Sequence, residues 1–221
     1  MNLFKRLKFG PIRSVFPEPR CAYYQFSDKE YAAKILGDYS DWADNYSILS
    51  RSSGNHPIEY YCGYSHITIN GYLRNYFNDF PPLADRNLSP KVRELEQIIE
   101  NAPKTPVDIV VYRAVYPYFA DVLIANNKKG CDTRERGFMS TSLSFETLVG
   151  TEEFESMSDI LKIYVPRGRS AVYIDAIKPD NSGVGMGRNE MELLFLPGIS
   201  LRMIKYPYCR KGKTIYECIM L

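Results

Sequence analysis

The chain has 221 residues, enough for one large domain with a buried core, and its 45% hydrophobic and 24% charged residues are typical of a globular protein. Its 28 Lys and Arg residues nearly balance its 26 Asp and Glu residues, so the formal net charge is only +2. This balance argues against nucleic-acid binding, which needs a concentrated basic field, and the absence of a long apolar run argues against stable membrane insertion.

The cysteines and histidines limit the metal and redox chemistry that can be expected. The cysteine count of five is odd, no pair has C-x-x-C spacing, and only two histidines, His56 and His66, are available as further ligands. A zinc site and a disulfide framework are therefore not indicated, and we expect no metal. The cysteines are Cys21, Cys62, Cys131, Cys209 and Cys218.

Residues 1–22 are predicted to be a basic appendage to a single domain that spans residues 23–221. The first twenty residues mix Leu and Phe with Lys and Arg but lack the continuous apolar core of a cleavable signal peptide. A short amphipathic anchor, a signal read by an export machine and a frayed tail are all compatible with this composition.

Helical patterns dominate the first half of the chain. Ser27 and Glu30 form a capping-box pattern that predicts a helix ending near Gly37. The stretch SHITINGYLRNYF predicts a second helix, capped by Ser65, with Ile67, Leu73 and Phe77 on one side. Ser89-Pro90 predicts the start of a third helix, which carries Val92, Leu95, Ile98 and Ile99 and ends at residues 101–103.

From residue 107 the hydrophobic period changes to two. Strands are predicted within VDIVVYRAVY, ILKIYV, AVYIDAI, EMELLFLP, SLRMIKYP and KTIYECIML, and the glycine-rich residues 180–189 are predicted to be a mobile loop. Helices followed by strands indicate an α+β domain with largely antiparallel sheets.

Three features of the strand-rich half carry polar chemistry in apolar surroundings. Arg113 lies inside an apolar strand, where a guanidinium could bind phosphate with two hydrogen bonds or simply extend to water. Ser140, Thr141 and Ser142 form a hydroxyl triplet, and buried hydroxyls need partners. Glu190 and Glu192 begin an apolar strand, whose rise would place both carboxylates on one face, roughly 6.6 Å apart along the strand.

These features, in this order, resemble the R-S-E class of mono-ADP-ribosyltransferases, which includes clostridial exoenzymes, bacterial effectors and vertebrate ecto-transferases. Twenty-seven residues separate Arg113 from Ser140, and 52 separate Ser140 from Glu192. The stretch YSHITINGYLR is similar to the helix that precedes the arginine strand in this family, with Asn70 and Arg74 at its polar positions. The match covers roughly residues 60 to 200.

The resemblance implies an ADP-ribosyltransferase fold, with N-terminal helices packed on two mostly antiparallel sheets that flank an NAD cleft. It implies that Glu192 accepts a hydrogen bond from the ribose 2′-hydroxyl and stabilises the positive charge that develops on the ribose. Glu190 would activate the nucleophile, and Ser140 would hold Glu192 and contact the ribose.

The remaining residues of the implied site concern NAD binding. Arg113, with Arg74 and Asn70, would hold the phosphates, and Thr141 and Ser142 would shape the pocket. Ala114 stands where many relatives have a glycine whose backbone contacts nicotinamide. Phe145 would stack near nicotinamide.

The implied function is transfer of ADP-ribose from NAD to a side chain of a host protein, with arginine favoured as the acceptor because of Glu190 and threonine or another residue as an alternative. The expected setting is a monomeric bacterial effector that is secreted and acts in the host cytosol, or else a phage-encoded enzyme of the bacterial cytoplasm.

Three other functions remain open on sequence grounds. An NAD glycohydrolase would use the same residues with water as the acceptor. A catalytically inactive binding module of the same fold is disfavoured by the intact Arg113, Ser140 and Glu192. A glycosidase that uses Glu190 and Glu192 would leave Arg113 and the serines without a role.

Overall fold

The structure is a computed structural model that describes residues 3–13, 23, 25–26, 57–74, 81–174 and 190–221. The helix predicted from Ser27 to Gly37, the position of Phe77 and the predicted loop 180–189 lie outside these ranges.

The helices lie mainly before the first strand, as the change of hydrophobic period predicts. In the described part of the chain they are α1 (Leu3–Phe9), α2 (Pro57–Tyr60), a π-helical turn (Tyr61–Ser65), α3 (His66–Leu73), α4 (Pro81–Asn101), α5 (Pro117–Lys128), α6 (Phe145–Gly150) and α7 (Glu152–Glu155).

Two helix starts differ from the prediction. Ser65 precedes α3 but is itself helical and makes no side-chain cap, because the π-helical turn runs directly into α3. Helix α4 begins at Pro81 and contains Pro90 in its interior, since Pro81 and Pro82 supply the same start signal nine residues earlier. Its end at Asn101 is confirmed.

The apolar face of α4 is confirmed, whereas that of α3 is wrong in part. Val92, Leu95 and Ile99 are buried as predicted. In α3, however, Ile67 is 62% exposed and the buried face is centred on Ile69 and Asn70. A polar residue can occupy that face because its amide is hydrogen-bonded.

Each predicted segment contains a strand, and three further short strands of the described residues form outside these segments. They are β1 (Ile109–Val115), β2 (Thr133–Arg134), β3 (Met139–Ser142), β4 (Asp159–Val165), β5 (Ala171–Tyr173), β6 (Glu192–Phe195), β7 (Ser200–Met203), β8 (Tyr208–Arg210) and β9 (Lys213–Met220). The order across the sheet is β2-β7-β9-β4-β1-β3-β6-β5, and β8 pairs with β9.

The α+β class is confirmed, but the strands of the described residues form one continuous sheet where two were expected. Strands β1 and β3 join its halves through a single register pair, Tyr112 opposite Ser142. All pairings in the described ranges are antiparallel except that of β4 with β9, which is parallel.

Successive residues along each strand point to opposite faces of this sheet. The buried side chains on the two faces form separate hydrophobic clusters. One face carries the largest cluster, to which Val111, Met139 and Leu193 belong. The other face is divided into a cluster that packs helices α2 to α4 on β5 and β6 and a cluster on β1, β4 and β9. The division falls between β1 and β3, the strands that carry Arg113 and the hydroxyl triplet.

The described N-terminal residues contact the domain directly. Asn127 on α5 donates hydrogen bonds from Nδ2 to the carbonyl oxygens of Phe9 (2.8 Å) and Pro11 (3.1 Å). At Gly10, with φ of 81°, a Cβ would lie 2.7 Å from the Cα of Lys128. Residues 9–11 are thus fitted closely against α5.

The described cysteines Cys62, Cys131, Cys209 and Cys218 are free thiols. None of the helices in the described ranges is long and apolar enough to cross a membrane.

Candidate active site

The predicted polar residues lie on neighbouring elements around strand β3. On one side, Arg113 of β1 donates from Nη1 to the carbonyl oxygen of Ser140 at 3.2 Å. On the other side, β6 pairs with β3 so that Glu192 lies opposite Ser142. The three strands that carry the arginine, the hydroxyls and the glutamate are therefore adjacent.

Arg113 and Arg74 are joined by Glu135, a carboxylate that the sequence did not single out. Arg74 donates from Nε to Oε1 and from Nη2 to Oε2 of Glu135, both at 2.9 Å. Arg113 donates from Nη2 to the same Oε2 at 3.3 Å. The two arginines expected to bind phosphate thus form one cluster with a shared anion.

The cluster is largely removed from water, which strengthens its charge interactions. The side chain of Glu135 is 2% exposed, whereas those of Arg113 and Arg74 are 16% and 23% exposed. Burial raises the pKa of Glu135, but the hydrogen bonds from Arg74 and the charges of both arginines outweigh burial and hold this pKa below its ordinary value. The carboxyl is therefore ionised at neutral pH.

Asn70 fixes helix α3 against the start of β3. Its Oδ1 accepts a hydrogen bond from the Phe138 backbone N–H at 2.8 Å, and its Nδ2 donates to the Tyr61 hydroxyl at 3.0 Å. A Cβ on Gly137 would lie 2.7 Å from Asn70 Oδ1 and 3.2 Å from Arg74 Nε, so only glycine allows this approach. Both ends of the buried Asn70 amide therefore contact protein, and its backbone carbonyl oxygen accepts a hydrogen bond from the Arg74 N–H at 2.9 Å.

The strand register shows which residue of the hydroxyl triplet lies directly opposite Glu192. The register of β3 and β6 sets Ser142 opposite Glu192 and Ser140 opposite Leu194. The Ser142 hydroxyl lies 2.8 Å from the carbonyl oxygen of Glu190 and 3.1 Å from that of Ser144. Ser142 therefore anchors the backbone beside Glu192, while Ser140 contacts Arg113 through its carbonyl.

Thr141 points away from these serines, as strand alternation requires. Its buried hydroxyl donates to the carbonyl oxygen of Leu193 at 2.8 Å. This bond reinforces the pairing of β3 with β6.

The geometry inferred for Glu190 and Glu192 is wrong in one respect. Strand β6 begins only at Glu192, and Met191 between the glutamates has φ of 49°, in the left-handed region. The extended alternation that would place both carboxylates on one face is broken there. Met191 is held in this conformation by burial and by a hydrogen bond from the Leu143 N–H to its carbonyl oxygen at 3.0 Å.

Charge effects on pKa link Glu192 to the arginine cluster and to Tyr61. Burial raises the pKa of the Tyr61 hydroxyl, and the nearby negative charge of Glu192 raises it further. Burial lowers the pKa of Arg113, while Glu135 and, more weakly, Glu192 raise it. The Glu192 carboxylate, the Tyr61 hydroxyl and the Arg113 guanidinium therefore share one electrostatic environment.

The structure places Ala114 and Phe145 at the edge of this group. Ala114 lies beside Arg113 on β1 and is half-buried. Phe145 is 3% exposed, contacts the ring of Tyr112 edge-on at 5.5 Å and is covered by Arg210, whose guanidinium lies 3.9 Å from the ring centroid. Its ring belongs to the cluster on β1, β4 and β9, apart from Glu135 and Arg74.

Sequence reasoning missed Glu135 and Tyr61. Glu135 lies between Arg134 and Arg136 and there resembles any surface acid. No group of three or more His, Cys, Asp or Glu residues in the described ranges is arranged to hold a metal ion.

Solved structures with the same architecture establish the fold. The ADP-ribosylating toxin BECa of a Clostridium perfringens binary enterotoxin, solved with NADH, has a TM-score of 0.67 and 19% identity; the match covers 90% of this chain and 50% of that one. C3stau2 of Staphylococcus aureus, solved with NAD, has a TM-score of 0.62 and 19% identity, with 90% and 98% coverage. An ADP-ribosyltransferase of Clostridium botulinum has a TM-score of 0.59 and 20% identity, also with 90% and 98% coverage.

The domain thus has the α+β fold of ADP-ribosyltransferases. Its sequence matches the profile of the ADP-ribosyltransferase exoenzyme family over residues 36–214, most of the chain. The chain belongs to that family, which confirms its resemblance to ADP-ribosyltransferases. It spans half the length of the BECa chain, and no curated protein sequence matches it significantly.

Proposed function

We propose that this protein is an R-S-E mono-ADP-ribosyltransferase that transfers ADP-ribose from NAD to a side chain of a target protein. The observation that carries the proposal is the convergence of Arg113, the β3 hydroxyl strand and Glu192 on three adjacent strands. Membership of the exoenzyme family and the NAD and NADH named for two structural relatives support the same chemistry.

The reaction breaks the bond between nicotinamide and the ribose C1′, so positive charge develops on the ribose. Glu192 accepts a hydrogen bond from the ribose 2′-hydroxyl and stabilises that charge, in a place where burial strengthens electrostatic effects. Arg113 and Arg74 bind the diphosphate, since guanidinium groups form charge-assisted hydrogen bonds with phosphate.

Glu190 takes the proton from the acceptor as the new bond to C1′ forms. An arginine acceptor is favoured by a glutamate at this position. The target is a protein of a host cell, and the protein acts as a secreted effector, in keeping with the toxins among its structural relatives.

The test is to incubate the purified protein with NAD, labelled in the adenine ring, and a host-cell lysate. Nicotinamide release and protein labelling are measured together, and mass spectrometry identifies the modified residue. Glu192→Gln should lower both rates by about 100- to 1000-fold. Glu152→Gln, a change at an exposed carboxylate on α7, is the matched control and should leave both rates unchanged.

The outcomes separate the proposal from its rivals. Nicotinamide release without protein labelling, against several lysates, would identify a glycohydrolase. Absence of both activities in the folded protein would support an inactive binding module. A Glu192→Gln variant with normal rates would refute the catalytic assignment.

A further inference from the structure

We propose that Glu135 is a positioning residue for NAD, which fixes Arg74 and Arg113 as a pair so that together they bind the diphosphate. This inference rests on the proposed function and adds to it a residue between the arginine strand and the hydroxyl strand. Glu135 has no acid–base or nucleophilic role in it; the carboxylate acts only through the two guanidinium groups.

The carboxylate is attached to a fixed piece of backbone. The Glu135 N–H donates to the carbonyl oxygen of Ile199, and the Glu135 carbonyl oxygen accepts from the Gly198 N–H, both at 2.8 Å. Its Oε1 also accepts from the Gly137 N–H at 2.8 Å. These three bonds determine where the side chain lies before either arginine is considered.

The two carboxylate oxygens then orient both arginines. Oε1 accepts from Arg74 Nε, and Oε2 accepts from Arg74 Nη2 and from Arg113 Nη2. Arg113 is fixed a second time through Nη1, which donates to Ser140. A bidentate contact fixes the plane of the Arg74 guanidinium, and a single oxygen shared with Arg113 fixes the spacing between the two cations.

The charge of the cluster suits an anionic ligand. Two cations and one anion leave a net charge of +1 at a place where both arginine side chains remain partly exposed and the glutamate does not. Without the carboxylate, Arg74 and Arg113 would repel each other. The positive charge of Arg74 already lowers the pKa of Arg113. Glu135 therefore lets two like charges stand close enough to bind adjacent phosphates.

The test compares Glu135→Gln with Glu217→Gln. The glutamine has nearly the same shape, but its NH₂ group would face either Gly137 N–H and Arg74 Nε or the two Nη2 groups, so one set of bonds is lost. Glu217 is the matched control because its carboxylate is also buried, at 3%, and is bonded to Tyr164 and Lys205 on β4 and after β7.

Steady-state kinetics of nicotinamide release separate positioning from general damage. In Glu135→Gln we expect the KM for NAD to rise by about tenfold or more, since charge-assisted contacts to phosphate are weakened, with kcat within about threefold of wild type. Partial unfolding would instead lower kcat and leave KM unchanged. The control Glu217→Gln should show no effect larger than this.

Product inhibition shows which part of NAD is affected. Glu135→Gln should raise the inhibition constant of ADP-ribose, which contains the diphosphate, by about tenfold, and leave that of nicotinamide unchanged. In an Arg113→Ala background the same change should raise KM by less than about threefold, because residues that act through one another are not additive.

Calorimetric titration with NAD keeps this inference separate from the proposed function. If the wild-type protein binds no NAD, the proposed function and the role of Glu135 are both refuted. If it binds NAD and Glu135→Gln binds it equally well, only the role of Glu135 is overturned. An equal rise in the inhibition constants of ADP-ribose and nicotinamide would also overturn that role, because the whole site would then be disturbed.

Discussion

The two ends of the candidate site are built in different ways. At the arginine end, Arg74, Arg113 and Glu135 are fixed by bonds between their side chains, which are largely buried. At the glutamate end, hydrogen bonds from β3 and the residue after it fix the backbone. Ser142 bonds to the Glu190 carbonyl, and Leu143 bonds to that of Met191.

This difference matches two chemical requirements of the proposed reaction. Binding a diphosphate needs charges whose positions are set in advance, because ordering them on binding would cost affinity. Proton transfer to and from an acceptor needs a carboxylate that can reach it, and Glu190, which is only half-buried, lies before the start of β6. We therefore expect substitutions at the arginine end to alter the affinity for NAD and the stability of the protein. Substitutions at the glutamate end should alter the reaction rates.

The largest effect is expected from Glu190→Gln. If Glu190 serves the acceptor, protein labelling should fall by about 100- to 10,000-fold while nicotinamide release to water stays near wild type. Gel detection of labelled protein beside a nicotinamide assay measures both. A parallel fall of the two activities would place Glu190 in the NAD site, and the absence of any change would remove the preference for an arginine acceptor.

The pH dependence of stability should identify the buried charge at the arginine end. The folded pKa of Glu135 is depressed, so its contribution is fully present above the unfolded value of about 4.3 and is lost as the pH falls through the lower folded value. Glu135→Gln should cost about 3–5 kcal/mol of unfolding free energy at pH 7, as expected for one partner removed from a buried ion pair.

Urea denaturation of wild type and Glu135→Gln at pH 7 and at several values below about pH 4.3 measures this difference. The difference in unfolding free energy between wild type and Glu135→Gln should become smaller as the pH falls. A difference that stays constant would mean that the pKa of the Glu135 carboxyl is the same in the folded and the unfolded protein. The exposed Glu152→Gln should differ from wild type by less than about 0.5 kcal/mol at pH 7.

Arg113→Ala should weaken NAD binding by about 1.5–3 kcal/mol, the value of a lost charge-assisted hydrogen bond. Calorimetric titration with NAD measures the change. The control is Arg202→Ala on β7, which removes an arginine that is paired with Asp132 and is as exposed as Arg74. Equal NAD affinity of wild type and Arg113→Ala would assign Arg113 a purely structural role.

The smallest effect concerns the approach of α3 to β3. Gly137→Ala should cost about 1–3 kcal/mol of stability and also weaken NAD binding, because its Cβ would displace Asn70 and with it Arg74. Gly150→Ala is the control, since a Cβ there meets no atom within 4 Å and should be tolerated. Thermal unfolding compares the two variants, and equal stability would show that the loop before β3 can move away from Asn70.

Much of the fold follows from local sequence patterns. The period-two segments became strands because their alternating side chains bury both faces of one sheet. The helix boundaries at Ser65 and Pro90 were less predictable, because neighbouring helical segments continue through both positions. The left-handed Met191 was not predictable at all, since the contacts that hold it come from residues 143 and 147, more than forty positions away.

The sequence by itself determined the family, the α+β class and the order of Arg113, the hydroxyl triplet and Glu192, because these depend on residue types and spacings along one chain. Only the tertiary structure decided which hydroxyl faces Glu192, how Met191 turns the strand start, and that Glu135 joins Arg74 to Arg113. The physical reason is that a strand register and an ion pair are set by partners 22 to 61 residues apart, whose meeting depends on the packing of the whole sheet.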